Sequence, residues 1–396
     1  MRKKILLVLY LFFMVMSAYA NDTSGSVLPT GGVVFEKQNG IQMVTEALYI
    51  RPGQIEVNYL FENTTDQNIS TRVFFPLPPM PAVEQYLGDE DHDYHFKLWV
   101  NGKERTYQTH WTVTQGNTDI TAEVADIFSR PEEIISEREL SKRLQNIPAE
   151  KRSQLLDKKN IEWGWLLDSE LGEIENWKMP DNTPWEKQLS YSWQQVFPAH
   201  KTVAIRHTYQ PTSMHSNTGI PFSKCLDKKS PEYLSFMTQD PEDALTAYNN
   251  GDRFFAQDYL EYILTTAENW QGPIANFNLL VESPFKSVGC FNGESFYGEK
   301  YYTLNLQNYT PGWDMSVDFV YPNYTVKAYT PATLPELFRI DGPANLREKP
   351  NGQITGQLAD KTYVWGFPGK KAGQWYPVLQ NEKAGYTHRK NLIKVF

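Results

Sequence analysis

Long hydrophobic runs are missing from this 396-residue chain once its first twenty residues are passed. No later stretch approaches the roughly 20 apolar residues that a membrane-spanning helix requires. Recognisable catalytic signatures are missing as well. There is no His-Glu-x-x-His, no Gly-x-Ser-x-Gly and no phosphate-cradling glycine loop, so the chain gives no motif-level footing for zinc-protease, α/β-hydrolase or P-loop chemistry. No repeat of solenoid length appears. Cysteine is confined to Cys225 and Cys290, and neither lies near the start of the chain, where lipid attachment would need one.

What is present begins with an address. Arg2, Lys3 and Lys4 precede an apolar run from Ile5 to Met16, and Ser17-Ala18-Tyr19-Ala20 places small residues at the positions a signal peptidase reads. Residues 1–20 are therefore expected to be a signal peptide, cleaved after Ala20, leaving a periplasmic or extracellular chain with no membrane span. The competing reading is an uncleaved anchor helix. Cleavage removes three positive charges and leaves 35 basic against 47 acidic residues. The imbalance is uneven: residues 337–396 hold ten basic and four acidic side chains, a net +6, so residues 21–336 carry −18. An acidic body disfavours nucleic acid as a partner. A basic tail is drawn either to an anionic envelope polymer or to its own acidic body.

In an oxidising compartment an isolated cysteine pair reads as a disulfide, Cys225–Cys290. The rival role, a nucleophile, needs a thiolate-favouring neighbourhood and a histidine base. Neither Ser223-Lys224-Cys225-Leu226 nor Val288-Gly289-Cys290-Phe291 brings a histidine alongside. The rest of the pattern is mainly β. From Ile41 to Pro76 apolar and polar residues alternate, with breaks at Pro52-Gly53 and Asn63-Thr64-Thr65-Asp66, which predicts consecutive antiparallel strands with one buried face. Phe96 to Thr114 continues in that style around a hairpin signal at Asn101-Gly102. Residues 120–188 change texture to mixed charge, with Ile135, Leu140, Leu144 and Ile147 at helical spacing, and predict a helical insertion. Strands return over 189–211. Ser230-Pro231-Glu232 and Asp240-Pro241-Glu242 each announce a short helix, the second stopping at Asn249-Asn250-Gly251. Strand-like runs follow from Leu260 to Tyr321, and a proline-bearing linker is expected over 326–336.

Three stretches could carry chemistry. Asp89-Glu90-Asp91-His92-Asp93-Tyr94-His95 has enough ligands for a metal but lacks the glycine and spacing of a calcium loop, and reads as a solvated loop. Ser283-Pro284-Phe285-Lys286 matches Ser-x-x-Lys. The context is strand and turn, however, and no Lys-Thr-Gly strand exists to complete that site. No catalytic residue, metal or cofactor is assigned. The third stretch is the tail, where Tyr363, Trp365, Phe367, Trp375, Tyr376 and Tyr386 crowd between turns at Pro-Asn-Gly, Pro-Gly-Lys-Lys and Ala-Gly. Some of these rings must fill a small barrel. Tyr363, Trp365 and Trp375, flanking the Pro-Gly-Lys-Lys-Ala-Gly turn, are the candidates for ligand contact.

"NDTSG" after the cleavage point, then "GGVVFEKQNGIQMVTEALYI", "VNYLFENTTDQNISTRVFFPLP", "YSWQQVFPAHKTVAIRHTYQP" and "YILTTAENWQGPIANFNLLVE", resemble the bacterial secreted family catalogued as domain-of-unknown-function family 4424, over about residues 21–325. That resemblance implies an exported bacterial protein and assigns no activity to any residue. Phe75-Pro76-Leu77-Pro78 also resembles the ending of inter-alpha-trypsin-type (VIT) modules, which are interaction domains of β-sandwich character. Residues 337–396 resemble a bacterial SH3 domain through Asn345-Leu346-Arg347 with Pro350, Ile354-x-Gly356-x-Leu358, Gln374-Trp375-Tyr376-Pro377-Val378 and Gly385-Tyr386-Thr387-His388. That family implies binding to envelope material, often peptidoglycan peptides.

The expected architecture is an antiparallel β-sandwich-like body over 21–325, with a helical insertion, followed by a small SH3-like β-barrel over 337–396. The expected role is a non-enzymatic envelope binding or scaffold protein whose partner is peptidoglycan, another wall polymer or an envelope protein. A wall-active hydrolase with an SH3-type targeting tail and a structural assembly subunit without ligand remain the alternatives.

Overall fold

The computed structural model describes residues 21–27, 33–84, 90–91, 94–116, 118–128, 130, 133–148, 150, 185–211, 214–216, 221–237, 255–322, 334–381 and 383–396. The expected signal segment 1–20, residues 326–333 of the expected linker and the helix expected from Asp240 lie outside them. Within the described residues the chain is mainly β, arranged in four larger sheets and one small one.

One seven-stranded sheet is the spine. Its order across the sheet is Lys103–Arg105, Lys97–Val100, Thr202–Tyr209, Gln54–Asn63, Ile41–Arg51, Ile274–Glu282, Tyr301–Tyr309. All neighbours are antiparallel except Ile41–Arg51 and Ile274–Glu282, which run parallel with Leu48 opposite Leu279. The Ile41–Asn63 hairpin turns at Pro52-Gly53, where Gly53 takes φ +70°, a conformation open to glycine at no steric cost. At Asn101-Gly102 both residues have positive φ, 48° and 72°, the two-residue turn that matches strand twist.

Two further sheets cover the inner face of the spine. Thr23–Val27, Val33–Glu36, Ile69–Pro76, Gln108–Gln115 and Glu186–Phe197 form one. Phe255–Tyr262, Met315–Pro322, Lys286–Phe291 and Glu294–Gly298 are the main strands of the other. The predicted meander therefore splits: the Ile41–Asn63 hairpin stays in the spine, whereas Ile69–Pro76 crosses to the covering sheet. This places Phe61 against Phe197 and Phe75 against Tyr209 across the core. The third sheet packs lower on the spine, Phe277 stacking on Phe291.

The described part of the insertion mixes helix and strand. Among the described residues it holds the helices Thr121–Val124 and Glu137–Gln145, with the strand Glu133–Ser136 between them; residues 151–184 lie outside the description. Ile135 is on that strand, Leu140 and Leu144 on the second helix, and Ile147 just beyond it. All four pack in one satellite core with Val113 and Trp185. Ser136 Oγ caps the second helix by accepting from Glu139 N at 3.2 Å. Glu90–Asp91, from the acid-rich loop, pairs with Glu133–Ile134 as a strand.

Residues 336–394 build the last sheet, in the order Ile354–Leu358, Ala344–Arg347, Lys383–His388, Trp375–Gln380, Tyr363–Gly366, Glu336–Ile340, Leu392–Lys394. It curls around its own core of Phe338, Ile340, Leu346, Leu358, Val364 and Val378. No helix among the described residues is long and apolar enough to cross a membrane.

Cys225 and Cys290 are joined by a disulfide, with Cα atoms 5.8 Å apart. It ties the segment 221–226 to the strand Lys286–Phe291. Beside it, a Cβ on Gly289 would lie 2.1 Å from the Ser316 carbonyl oxygen, so only glycine lets the two strands approach there. Closing a loop of 65 residues stabilises by about 4 kcal/mol in the chain-entropy account. The double variant Cys225→Ala/Cys290→Ala should lower the unfolding free energy by about that amount in urea titration. A midpoint unchanged from the parent would contradict it.

Candidate functional site

The strand Ile41–Arg51 is buried on both faces from Thr45 to Ile50. Leu48 and Ile50 join the main core, whereas Ala47 and Tyr49 point the other way and would face water on an uncovered sheet. The tail covers them: Ala47, Tyr49 and Leu280 pack with Leu337, Trp365 and Phe367. Hydrogen bonds fasten the seam. Thr303 Oγ1 donates to the Asn381 carbonyl, Asn305 N donates to Asn381 Oδ1 at 2.9 Å, and Lys370 Nζ donates to Tyr301 Oη at 3.3 Å. Of the two places a basic tail could go, the geometry puts it on its own body, through rings and hydrogen bonds more than through charge.

This contact separates the three candidate rings. Trp365 is only 2% exposed and lies against Tyr49, with centroids 6.4 Å apart, so it faces the body and not solvent. Tyr363 is half-buried at the same cluster. The Pro-Gly-Lys-Lys turn, expected to be a free loop beside the rings, is a 3-10 turn, Pro368–Lys370, held toward Tyr301. Trp375 alone of the three lies on the outer side. It is half-exposed, with the Arg347 guanidinium 5.7 Å from its ring and His388 edge-on at 5.2 Å. Arg347 pairs across the sheet with Tyr386, completing a small basic aromatic face.

Beside the seam lies a cavity of about 450 Å³ whose lining includes Asn58, Trp99, Arg206, Leu337, Trp365 and Lys394. Arg206 Nη2 donates to Glu56 Oε2 at 2.8 Å, and the guanidinium stands 4.6 Å over the Trp99 ring. Arg206 Nε and Trp365 Nε1 are buried and have no hydrogen-bond partner among the described residues. Both residues line the cavity, and a buried donor left unpaired is costly. Lys394 is held across the mouth by Glu336 at 2.9 Å. A larger cleft, about 580 Å³, is lined by Arg72, Arg105, Tyr107 and Trp193 and shares the Asn101-Gly102 hairpin region with the first.

A third polar cluster is wholly enclosed. Asn21, Asp22, Glu46 and His207 have no exposed surface. His207 Nε2 and Asp22 Oδ1 are 2.8 Å apart, and Phe75, Phe96, Tyr59 and Trp193 surround the imidazole at 4.8–5.8 Å between centroids. Burial pushes the Asp22 carboxyl above its ordinary range, opposed by the His207 ring. Burial likewise pushes Glu46 up to about 8, opposed by the hydrogen bond that Asn21 Nδ2 donates to it at 3.1 Å. With no opening, this arrangement can hold the fold but cannot meet a substrate.

The Ser283–Lys286 motif does not assemble a nucleophile. Ser283 Oγ donates to the Lys286 carbonyl within its own turn, and Lys286 Nζ donates to the Phe236 carbonyl. No group of metal-ligating side chains occurs among the described residues. Sequence reasoning missed Arg206, Trp99 and the buried cluster. A visible signal for the seam was the unbroken apolar run Ala47-Leu48-Tyr49-Ile50, which denotes a strand covered on both faces.

Residues 20–317 match the family described as Domain of unknown function (DUF4424). No curated protein matches the chain. Among solved structures, one described as that of "a putative nutrient binding protein" from Legionella pneumophila shares 16% identity over 76% of this chain and 72% of its own, with a TM-score of 0.34. That likeness is too distant to inform either fold or function.

The two tryptophans should respond differently to truncation. Trp365→Ala opens a void in the seam and should lower unfolding free energy by about 3–5 kcal/mol, whereas half-exposed Trp375→Ala should cost about 1 kcal/mol or less. Equal losses in urea unfolding would contradict the placement of these rings.

Proposed function

The chain belongs to the DUF4424 family, and on that premise we propose that it is an exported, non-enzymatic binding protein of the cell envelope whose ligand enters the cavity at the seam between body and tail. The observation that carries this reading is the pair of unsatisfied buried donors, Arg206 Nε and Trp365 Nε1, beside that cavity. The ligand they call for is a short, acceptor-bearing group such as the peptide stem or carboxylate end of a wall polymer. Trp99 and Leu337 supply apolar walls, as small-ligand sites generally need alongside a few placed polar groups. Export is supported by the basic and apolar first twenty residues and by the Cys225–Cys290 disulfide.

A second reading rests on the outer face of the tail. There the SH3-like module presents Arg347, Trp375 and His388, and its net charge of +6 favours an anionic polymer such as peptidoglycan. On this reading Trp375 is the contact ring, and Trp365 and Tyr363 hold the module to the body.

Binding of soluble peptidoglycan fragments, followed by tryptophan fluorescence, and co-sedimentation with insoluble wall at low and physiological salt test the two together. Arg206→Ala should weaken fragment binding by about tenfold or more, as loss of a well-placed charged donor does. Trp375→Ala should instead weaken sedimentation, whose salt sensitivity follows screening over about 8 Å at physiological ionic strength. A parent protein that binds neither form would overturn both readings.

A further inference from the structure

The enclosed cluster carries an imbalance that the described side chains do not correct. It holds two carboxyl groups, Asp22 and Glu46, against one imidazole, His207, and two hydroxyls, Tyr59 and Tyr262, which bond to each other at 3.0 Å. Asp22 Oδ2 and Glu46 Oε1 are buried without a hydrogen bond of their own among the described residues, although Asn21 and the Tyr262 hydroxyl both favour the Glu46 carboxylate. Among the described residues no hydrogen bond from lysine or arginine reaches either carboxyl. A buried carboxyl in this position either keeps its proton or needs a second cation.

Besides the His207 ring, the nitrogen already inside the cluster that can become a cation is the backbone nitrogen of Asn21. It lies 2.5 Å from Thr266 Oγ1, which in turn donates to the Asn21 carbonyl at 2.9 Å. The next residue is pinned as firmly, Trp270 Nε1 donating to the Asp22 carbonyl at 2.5 Å. As a peptide amide this nitrogen has one hydrogen, spent on Thr266. As a free amine it is an ammonium with three, and the same residue's side chain already reaches Glu46. We propose that the α-ammonium of Asn21, released when the Ala20–Asn21 bond is cleaved, is the missing cation of the buried cluster and pairs with Glu46, so that removal of the first twenty residues completes the core.

The covalent step is hydrolysis by an external peptidase. Water adds hydroxyl to the Ala20 acyl carbon and a proton to the Asn21 nitrogen, giving a carboxylate on the released segment and the amine, which takes a further proton from solvent. The inference rests on the export reading above, and the two can fail separately. Intact mass of the exported protein tests the cleavage position. A chain freed from a cytoplasmic fusion so that Asn21 is its first residue tests the cluster regardless of export.

The comparison is between that chain and the same chain bearing one extra alanine before Asn21. The chain starting at Asn21 should melt higher, by about 5 °C or more. Its α-amine should resist reductive methylation while folded and react once unfolded. In the extended chain Glu46 keeps its raised value, so it binds more protons folded than unfolded between its ordinary value of 4.5 and about 8; stability should therefore fall as pH rises through that window. In the chain starting at Asn21 that loss should shrink, because the ammonium draws Glu46 back toward its ordinary value. Asp22, His207, Tyr59, Tyr262 and Tyr309 face the same site and also feel the ammonium, so the two profiles read the cluster as a whole and Glu46→Gln isolates the share of Glu46. Glu46→Gln should abolish the difference between the two. Equal melting and equal pH profiles, or an α-amine that reacts at its unfolded rate in the folded chain, would overturn the proposal.

Discussion

The structure depends on a hydrogen-bonded Asp–His pair with no access to water. Asp22 and His207, 185 residues apart, meet 2.8 Å apart inside a box of aromatic rings. Each belongs to a different layer: Asp22 leads into the strand Thr23–Val27 of the covering sheet, and His207 lies on Thr202–Tyr209 of the spine. Thr266 and Trp270, in and just after the short 3-10 turn Thr265–Asn269, close over Asn21 and Asp22. A buried pair of this kind adds little net stability by itself, since desolvation offsets attraction, but removing one partner leaves an uncompensated group and costs about 3–5 kcal/mol. It therefore acts as a register pin, holding the first strand in one place against the spine.

The spine is also covered on its other side, and that second constraint positions the cavity. A sheet sandwiched between two layers loses its polar face, which is why Ala47, Tyr49 and Leu280 are buried as deeply as the residues facing the main core. The tail that covers them is basic and the body acidic, yet the contact is built from rings and from hydrogen bonds to the Asn381 turn. The cavity beside Arg206 lies where the two sheets meet, lined from the spine by Trp99 and Arg206 and from the tail by Leu337 and Trp365.

How much of this could be read beforehand varies by element. Gln54–Asn63 alternates strictly between buried and half-buried positions, and its sequence alternates in the same way, so it was legible. So were the hairpin at Asn101-Gly102 and the disulfide, both governed by local chemistry or compartment. The insertion was partly legible: its four apolar residues do share one core, but Ile135 sits on a strand because it pairs with Val83 far along the chain. Trp365 and Trp375 look equivalent in sequence and differ only through what covers them. The buried cluster was illegible for the same reason, since Glu46 and His207 sit in strands where a polar residue ordinarily marks the wet face. Their partners lie tens to hundreds of residues away.

A double-mutant cycle on Asp22 and His207 tests the central claim most directly. Asp22→Asn, His207→Gln and the combination are compared with the parent by urea unfolding of the chain beginning at Asn21. A pinning pair predicts that each single change costs about 3 kcal/mol or more and that the double variant costs far less than their sum, a coupling of about 2 kcal/mol. Losses that simply add, within about 0.5 kcal/mol, would show that the two residues sit together without depending on each other.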